Sequence, residues 1–249
     1  MKKRSLALPS SVRFTVAAFG ACLSLVATFP RAGAEKPNII FILTDDLGYG
    51  DVGVLFQKQR EGVQVQTPEL DEMAGAGTIL NRHYCPAPIC APSRASLITG
   101  MHQGHTNVRN MQFDKAIEDN WNFANTLQKV GYHTIHLGKY GLQGWGHDPE
   151  KWAGYPTKRG FDYFYGYVRH VDGHQHYPAN EWALGDNRSH QGKKQVWENN
   201  EEVSAGLDKC YTTDLWTAKA KQLIISETKE NPGRPFFMFL SYDTPHAAL

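Results

Sequence analysis

An α/β fold with a central, mostly parallel sheet and helices on both faces is the architecture that this sequence predicts. The first observation is three apolar runs rich in β-branched and aromatic residues, which have the composition of buried strands. The second is that segments with helical signals separate these runs, because consecutive parallel strands need a crossover connection. The predicted strands lie at 38–44, 132–137 and 235–241.

The first strand and the first helix have clear local signals. The run at 38–44 is continuously apolar, so we expect the strand to be covered on both faces. Pro92 lies near a first helical turn and Gly100 follows a last one. These two residues predict a helix at 91–99.

The rest of the chain contains two more helices and a long irregular region. Gly131 ends an amphipathic segment at 122–130, and Asn231-Pro232-Gly233 ends a helical segment at 213–228. The segment 153–200 is rich in Gly, Tyr, His and Asn without clear periodicity. We therefore predict long loops there, with no regular elements, above a surface site.

Composition indicates a globular protein that recognises its partners locally. The 249 residues include 26 basic and 25 acidic ones, and the formal net charge is +1. Such a balance gives no basic field of the kind that attracts nucleic acid. A nucleic-acid partner is therefore not expected.

The N-terminus has the pattern of an export signal. Lys2, Lys3 and Arg4 precede an apolar stretch at 14–29, and Ala32-Gly33-Ala34 is typical of a cleavage site. The alternative is an uncleaved anchor, but the stretch is short for a span of about 20 apolar residues. We predict a signal peptide at 1–34, a mature domain at 35–249, no stable membrane span, and a periplasmic or extracellular location.

Four polar residues follow the ends of predicted strands. Asp45 and Asp46 follow the first strand, Lys139 the second and His246 the third. Ligands of open parallel sheets bind at the carboxyl ends of the strands, so these side chains are expected at one edge. The two carboxylates suit a hard cation such as Ca²⁺ or Mg²⁺, or alternatively a turn.

The cysteines are odd in number once the signal is removed, leaving Cys85, Cys90 and Cys210. One interpretation is a disulfide and a buried thiol, and the other is a chemically converted cysteine. Cys90 is predicted at a helix N-terminus, with Arg94 one turn further. The helix dipole and the guanidinium favour an anionic nucleophile or substrate there.

The run Cys90-Ala91-Pro92-Ser93-Arg94, continued to Gly100, resembles the signature of the type I sulfatases, a branch of the alkaline phosphatase-like superfamily. The blocks 37–48, 131–139 and 235–246 resemble three further family segments, in the family's order. The resemblance covers essentially the whole chain after the predicted signal.

The resemblance implies a sulfuric ester hydrolase in which a maturation enzyme oxidises Cys90 to Cα-formylglycine. One hydroxyl of the hydrated aldehyde attacks sulfur, and the second then expels sulfate from the covalent ester. Asp45, Asp46 and the modified Cys90 are the implied Ca²⁺ ligands. Arg94 is implied to steady the formylglycine, and Lys139 and His246 to hold the sulfate or protonate the leaving oxygen.

One departure from the family pattern concerns a histidine that commonly follows the lysine by two residues, where this chain has Gly141. The segment 169–176 contains histidines that are candidates to replace it, and we name His174 and His176 as substrate-binding residues. The alternatives are loop histidines or a zinc site, although no cysteine lies at the usual zinc spacing. His105 and Arg109 are further candidates for the pocket, or else for loop packing.

The second departure is length. Family members continue past the third strand with more metal ligands, another lysine and a C-terminal subdomain, so we expect 35–249 to be an incomplete catalytic domain. The expected substrate is a sulfated small molecule or carbohydrate. Alternatives are a phosphonate or phosphate ester hydrolase of the same superfamily, and an inactive glycan-binding fragment.

Overall fold

Six strands form a single sheet in a computed structural model that describes residues 35–110, 115–146, 148–178, 194–207 and 210–247. The sheet order is β1-β6-β2-β3-β4-β5, and the pairings from β1 to β3 are parallel while β4 and β5 are antiparallel. The predicted, mostly parallel α/β architecture is confirmed. The predicted signal at 1–34 lies outside the described residues. The strands are β1 (Ile39–Asp45), β2 (His133–Lys139), β3 (Tyr163–Tyr167), β4 (Val196–Glu198), β5 (Glu201–Glu202) and β6 (Phe236–Pro245).

Four α-helices accompany the sheet in the described residues. They are α1 (Pro68–Ala76), α2 (Cys90–Thr99), α3 (Phe123–Lys129) and α4 (Thr212–Glu230). Gly100 ends α2 at a φ of 66°, and the Asn122 side chain caps α3 by accepting a hydrogen bond from the Asn125 amide. The helix α1 was not predicted. No helix in these ranges has both the length and the apolar character needed to cross a membrane.

Both faces of the sheet are packed, which follows from the alternation of side chains along β6. Phe236, Met238 and Leu240 join the cluster that contains Trp216 of α4. Phe237 and Phe239 point the other way, into the cluster that contains residues of α2 and α3. The central strand β6 thereby fixes the helices on opposite faces.

The expectation that 153–200 lacks regular elements was wrong. Tyr163–Tyr167 forms β3 and pairs with β2, and Val196–Glu198 forms β4. Gly166 lies opposite Gly138 in the parallel register, where an added Cβ would lie 2.1 Å from the Gly138 carbonyl oxygen. This close approach requires glycine, and the glycine obscured the strand pattern in the sequence.

The expectation that the first strand is covered on both faces was also wrong. Ile40, Phe41 and Ile42 are 45%, 38% and 53% exposed. The reason is topological, because within the described residues β1 is the outermost strand and pairs with β6 alone. A continuous apolar run therefore indicated a strand correctly but not its position in the sheet.

His136 of β2 lies in an aromatic part of the core. It is fully buried, and its ring stacks on Phe239 with the centroids 4.8 Å apart. Phe161 and Phe164 lie at 5.0 and 5.3 Å. Burial, with a smaller effect from the charge of Arg94, holds the pKa of His136 well below 6.5.

The folded protein therefore resists protonation of His136 while the unfolded chain accepts it. Stability should fall as the pH drops below about 6.5, with a slope of up to about 1.4 kcal/mol per pH unit from this residue. Replacing His136→Phe should remove that part of the slope, as measured by denaturant unfolding between about pH 7 and 5. The exposed His83→Gln is the control. Equal slopes in wild type and His136→Phe would contradict the assignment.

Candidate active site

The carboxyl ends of β1, β6 and β2 meet at one edge of the sheet, because these neighbouring strands are parallel. Asp45 is the last residue of β1 and Lys139 the last of β2. His246 immediately follows β6. The predicted convergence of these side chains on one edge is therefore present, and Asp46 lies beside them with a φ of 66°.

Three buried charged side chains form the centre of this edge. Lys139 Nζ lies 2.6 Å from Asp45 Oδ2, and Arg94 Nη2 lies 3.5 Å from the same oxygen. All three residues are at most 5% exposed. Burial opposes ionisation of Asp45, but the charges of Arg94 and Lys139 hold its pKa below the ordinary value. The cluster keeps one surplus positive charge, which suits an anionic ligand.

Arg94 also connects the sheet to α2. Its Nη1 donates to the Lys139 carbonyl oxygen at 2.7 Å and to the Ser241 hydroxyl. The Ser241 hydroxyl in turn donates to the same carbonyl at 2.9 Å. Arg94 thus contacts β1, β2 and β6, and it holds the N-terminal half of α2 against the sheet edge.

Cys90 is the first residue of α2 and is partly exposed. The helix is seated by Ala91, Ala95 and Ile98, which are all buried in the core. Cys90 Sγ lies 3.1 Å from His170 Nε2. Its position combines the positive end of the helix dipole, a nearby imidazole and access from solvent.

A cluster of histidines surrounds Cys90. The rings of His170 and His174 are nearly perpendicular with centroids 5.0 Å apart, and His174 stacks on His246 at 4.8 Å. His246 Nε2 lies 3.6 Å from Asp46 Oδ2. Burial, aided by the charge of Lys139, holds the pKa of His170 well below 6.5, so its imidazole is neutral at neutral pH.

Gly141 explains how His170 reaches this position. Gly141 has a φ of 75°, and an added Cβ would lie 2.7 Å from His170 Nδ1. His170 therefore fills the space that a side chain at position 141 would need. The sequence pointed to the segment 169–176 but named His174 and His176, and it missed His170.

Buried polar contacts hold the histidine loop. Arg169 donates from Nε and Nη2 to the two carboxylate oxygens of Asp172, at 2.9 and 2.7 Å. Gly173 packs on the stem of Lys139, where a Cβ would lie 2.5 Å from Lys139 Cδ. His174 lies in the short turn that begins at Asp172. The loop is thus anchored to the same lysine that neutralises Asp45.

His176 has a different environment from His174. Its Nδ1 lies 3.3 Å from Asp243 Oδ2 and its Nε2 lies 2.8 Å from the His246 carbonyl oxygen. Asp243 also accepts hydrogen bonds from Thr212 and Trp216 of α4. The Asp243 hydrogen bond raises the pKa of His176. These contacts make His176 a support for the backbone at His246.

The remaining predicted residues lie in other contacts. Arg109 donates to the Thr106 and Gly104 carbonyl oxygens, and exposed His105 packs edge-on near His102. These contacts favour loop packing for both. Cys85, Cys90 and Cys210 are all free thiols, so the interpretation with a disulfide among them was wrong.

Two sets of potential metal donors lie at this edge. Asp45 and Asp46 offer carboxylate oxygens, which match calcium in type. They do not match it in number, because calcium takes six to eight oxygens and Asp45 is already neutralised by Lys139. The second set is Cys90, His170 and His174, whose ligand atoms all lie within 4.8 Å of one another.

Comparison with known proteins agrees with this arrangement. The sulfatase family model matches residues 37–249. Arylsulfatase J of Mus musculus is 31% identical over 88% of this chain and 34% of its own length. N-acetylgalactosamine-6-sulfatase of Mus musculus is 29% identical over 91% of this chain and 43% of its own. The chain therefore spans less than half the length of these relatives.

A solved structure has the same fold. The crystal structure of Ps i-CgsB in complex with k-i-k-neocarrahexaose superposes with a TM-score of 0.67 and 29% identity, over 85% of this chain and 46% of that one. The match to the family model spans most of the sequence and contains every residue of the site described above. The chain belongs to the sulfatase family.

Proposed function

We propose that this chain provides the catalytic residues for hydrolysis of sulfate monoesters, with a formylglycine made from Cys90 as the nucleophile. The observation that carries the proposal is the position of Cys90. It is a partly exposed residue at the first turn of α2, 3.1 Å from a neutral histidine and one turn from buried Arg94. The family to which the chain belongs supports the hydrolysis of sulfate esters.

The charges of the site support an anionic substrate. Arg94 and Lys139 together outweigh the single carboxylate of Asp45, and all three are shielded from water. Shielding strengthens the attraction of the surplus positive charge for a negatively charged ester. The N-terminus of α2 adds backbone amides that favour the same sign of charge.

His170 is the group best placed to move a proton at position 90. The hydrated formylglycine would supply the attacking hydroxyl once Cys90 is converted. His170 Nε2 lies within hydrogen-bond reach of the atom that this group replaces, and its imidazole is neutral and able to accept a proton. We therefore assign to His170 the role of the histidine absent at Gly141.

His246 and Asp46 form a second pair at the rim. His246 Nε2 lies 3.6 Å from Asp46 Oδ2, and the Asp46 side chain is 67% exposed. This arrangement suits His246 to the role of proton donor to the leaving oxygen of the ester. Asp45 and Asp46 are proposed as two ligands of a divalent cation, for which Lys139 competes at Asp45 Oδ2.

The proposed substrate class is a sulfated carbohydrate, handled outside the cytoplasm after export. A structural neighbour binds neocarrahexaose, and a curated relative is named an N-acetylgalactosamine-6-sulfatase. The first name is that of an oligosaccharide and the second refers to a sulfated sugar, and the exported location rests on the N-terminal pattern. A formylglycine-generating enzyme is the implied maturation partner.

The decisive experiment uses the protein at its full natural length, co-expressed with a maturation enzyme. The peptide across Cys90 should be about 18 Da lighter than the thiol form, and a phenyl sulfate should be turned over faster than the matching phosphate. Cys90→Ala should abolish turnover, while exposed Cys85→Ala should leave it unchanged.

Two outcomes would contradict the proposal. Dominant turnover of the phosphate ester would indicate a phosphohydrolase of the same superfamily. An unmodified Cys90 thiol together with tight binding of a sulfated glycan and no turnover would indicate an inactive binding protein.

His170→Ala should lower kcat by about 10² to 10⁴, because proton transfer at the nucleophile is lost. Added imidazole should restore part of the activity, since it can enter the space that the side chain vacates. His105→Ala is the control, because His105 is exposed and packs near His102. Wild-type kcat in His170→Ala would remove His170 from the mechanism.

Gly141→Ala should displace His170, because the new Cβ would lie 2.7 Å from Nδ1. Gly146→Ala is a matched control, with a φ of 89° and no atom within 4 Å of an added Cβ. Both variants carry the left-handed backbone cost, so Gly141→Ala should lose about 1–3 kcal/mol more than Gly146→Ala in denaturant unfolding. Equal losses would show that His170 does not fill this space.

A further inference from the structure

We propose that the unconverted protein, in which Cys90 is still a thiol, binds one thiophilic d¹⁰ cation such as Zn²⁺ through Cys90, His170 and His174. The ligand atoms of these three side chains all lie within 4.8 Å of one another. They come from two separate segments, since Cys90 begins α2 and the histidines follow β3. A zinc site at the histidine segment was one alternative from the sequence, but Cys90 was not among its ligands, because 80 positions separate Cys90 from His170.

The geometry is close to that of a tetrahedral site. Zinc binds sulfur at about 2.3 Å and imidazole nitrogen at about 2.0–2.1 Å, so its ligand atoms lie about 3.5 Å apart. Cys90 Sγ and His170 Nε2 are already 3.1 Å apart. The remaining separations are at most 4.8 Å, so they must close by up to about 1.3 Å, which side-chain rotation provides.

The set of donors selects the kind of metal. One thiolate and two imidazoles suit zinc and similar ions, whereas calcium and magnesium take oxygen ligands. Three protein ligands also leave a fourth position for water. Cys90 is partly exposed, so an ion has a path from solvent to the sulfur.

The loop that carries the histidines is held in place without the metal. Asp172 accepts two hydrogen bonds from Arg169, and His174 is packed between His170 and His246. Ligands that are oriented in advance lose less freedom on binding, which strengthens a metal site.

The metal site extends the proposed function. It rests on that function, because it assumes that Cys90 is the residue that the maturation enzyme converts. Conversion replaces sulfur by oxygen and so removes the soft donor from position 90. The oxygen at position 90 would then join the carboxylate oxygens of Asp45 and Asp46 as a donor for a hard cation. A bound zinc ion would also cap the sulfur and block the maturation enzyme.

Cobalt(II) alone tests the site, because it takes the place of zinc and reports thiolate ligation by a charge-transfer band in the near ultraviolet. The protein is expressed at full natural length without a maturation enzyme, reduced, stripped of metal and checked by mass for the thiol at Cys90. We expect one Co²⁺ per chain with a thiolate band and a tetrahedral visible spectrum. Zn²⁺ should displace the Co²⁺.

Variants identify the ligands. Cys90→Ser should abolish the thiolate band, and His170→Ala and His174→Ala should each weaken Co²⁺ binding at least 10-fold. Cys85→Ser and Cys210→Ser are matched controls that should bind as wild type does, and circular dichroism checks that each variant folds. Three outcomes would overturn the proposal. They are a thiolate band in Cys90→Ser, an unchanged Co²⁺ affinity in both histidine variants, and no Co²⁺ binding by the wild type.

The converted protein separates this proposal from the proposed function. It should show no thiolate band while it hydrolyses the sulfate ester. Hydrolysis by converted protein, combined with no Co²⁺ binding by the thiol form, would refute the metal site alone. The opposite result would support the metal site and refute the hydrolase. In that case the thiolate band appears and is lost in the ligand variants, while Cys90 stays a thiol even after co-expression with the maturation enzyme.

Discussion

The buried contact between Asp45, Lys139 and Arg94 is the interaction on which the rest of the site depends. It joins the end of β1, the end of β2 and the N-terminal half of α2, and the hydrogen bond from Arg94 to Ser241 includes β6 as well. Charges buried to this extent are costly unless each has its partner, and removing one partner typically costs about 3–5 kcal/mol. The cluster therefore fixes the relative positions of three strands and a helix at the edge that carries Cys90 and the histidines.

The position of Cys90 follows from that cluster. Arg94 is drawn inward to Asp45, which leaves Cys90, one turn earlier, at the mouth of the site and in contact with His170. The helix is held on its other side by Ala91, Ala95 and Ile98 in the core. Cys90 thus combines a rigid base with partial exposure, which the proposed conversion and reaction at this position would both require.

The histidine loop shows how one missing side chain is compensated by another part of the chain. Gly141 leaves a space beside Lys139, and His170 fills it from the loop after β3. The loop is secured by the Arg169–Asp172 pair and by the packing of Gly173 on the stem of Lys139. The imidazole next to Cys90 thus comes from a different segment, while its position relative to Cys90 is set by buried contacts.

Short-range information in the sequence was enough for the main elements and for much of the site. The apolar runs identified β1, β2 and β6, and Pro92 and Gly100 delimited α2, because these signals act within a few residues. The parallel order of strands then implied that Asp45, Lys139 and His246 share an edge. The run that begins at Cys90 indicated the family to which the chain belongs.

Only the tertiary structure decided the features that depend on distant contacts. The exposure of β1 follows from its place at the sheet edge, and β3 was hidden by the glycine that its close approach to β2 requires. The sequence alone does not distinguish His170 from the other histidines of its segment. The structure does, because it shows that His170 fills the space above Gly141. Its contact with Cys90, across 80 positions, depends on packing of the whole domain, which no local pattern of residues encodes.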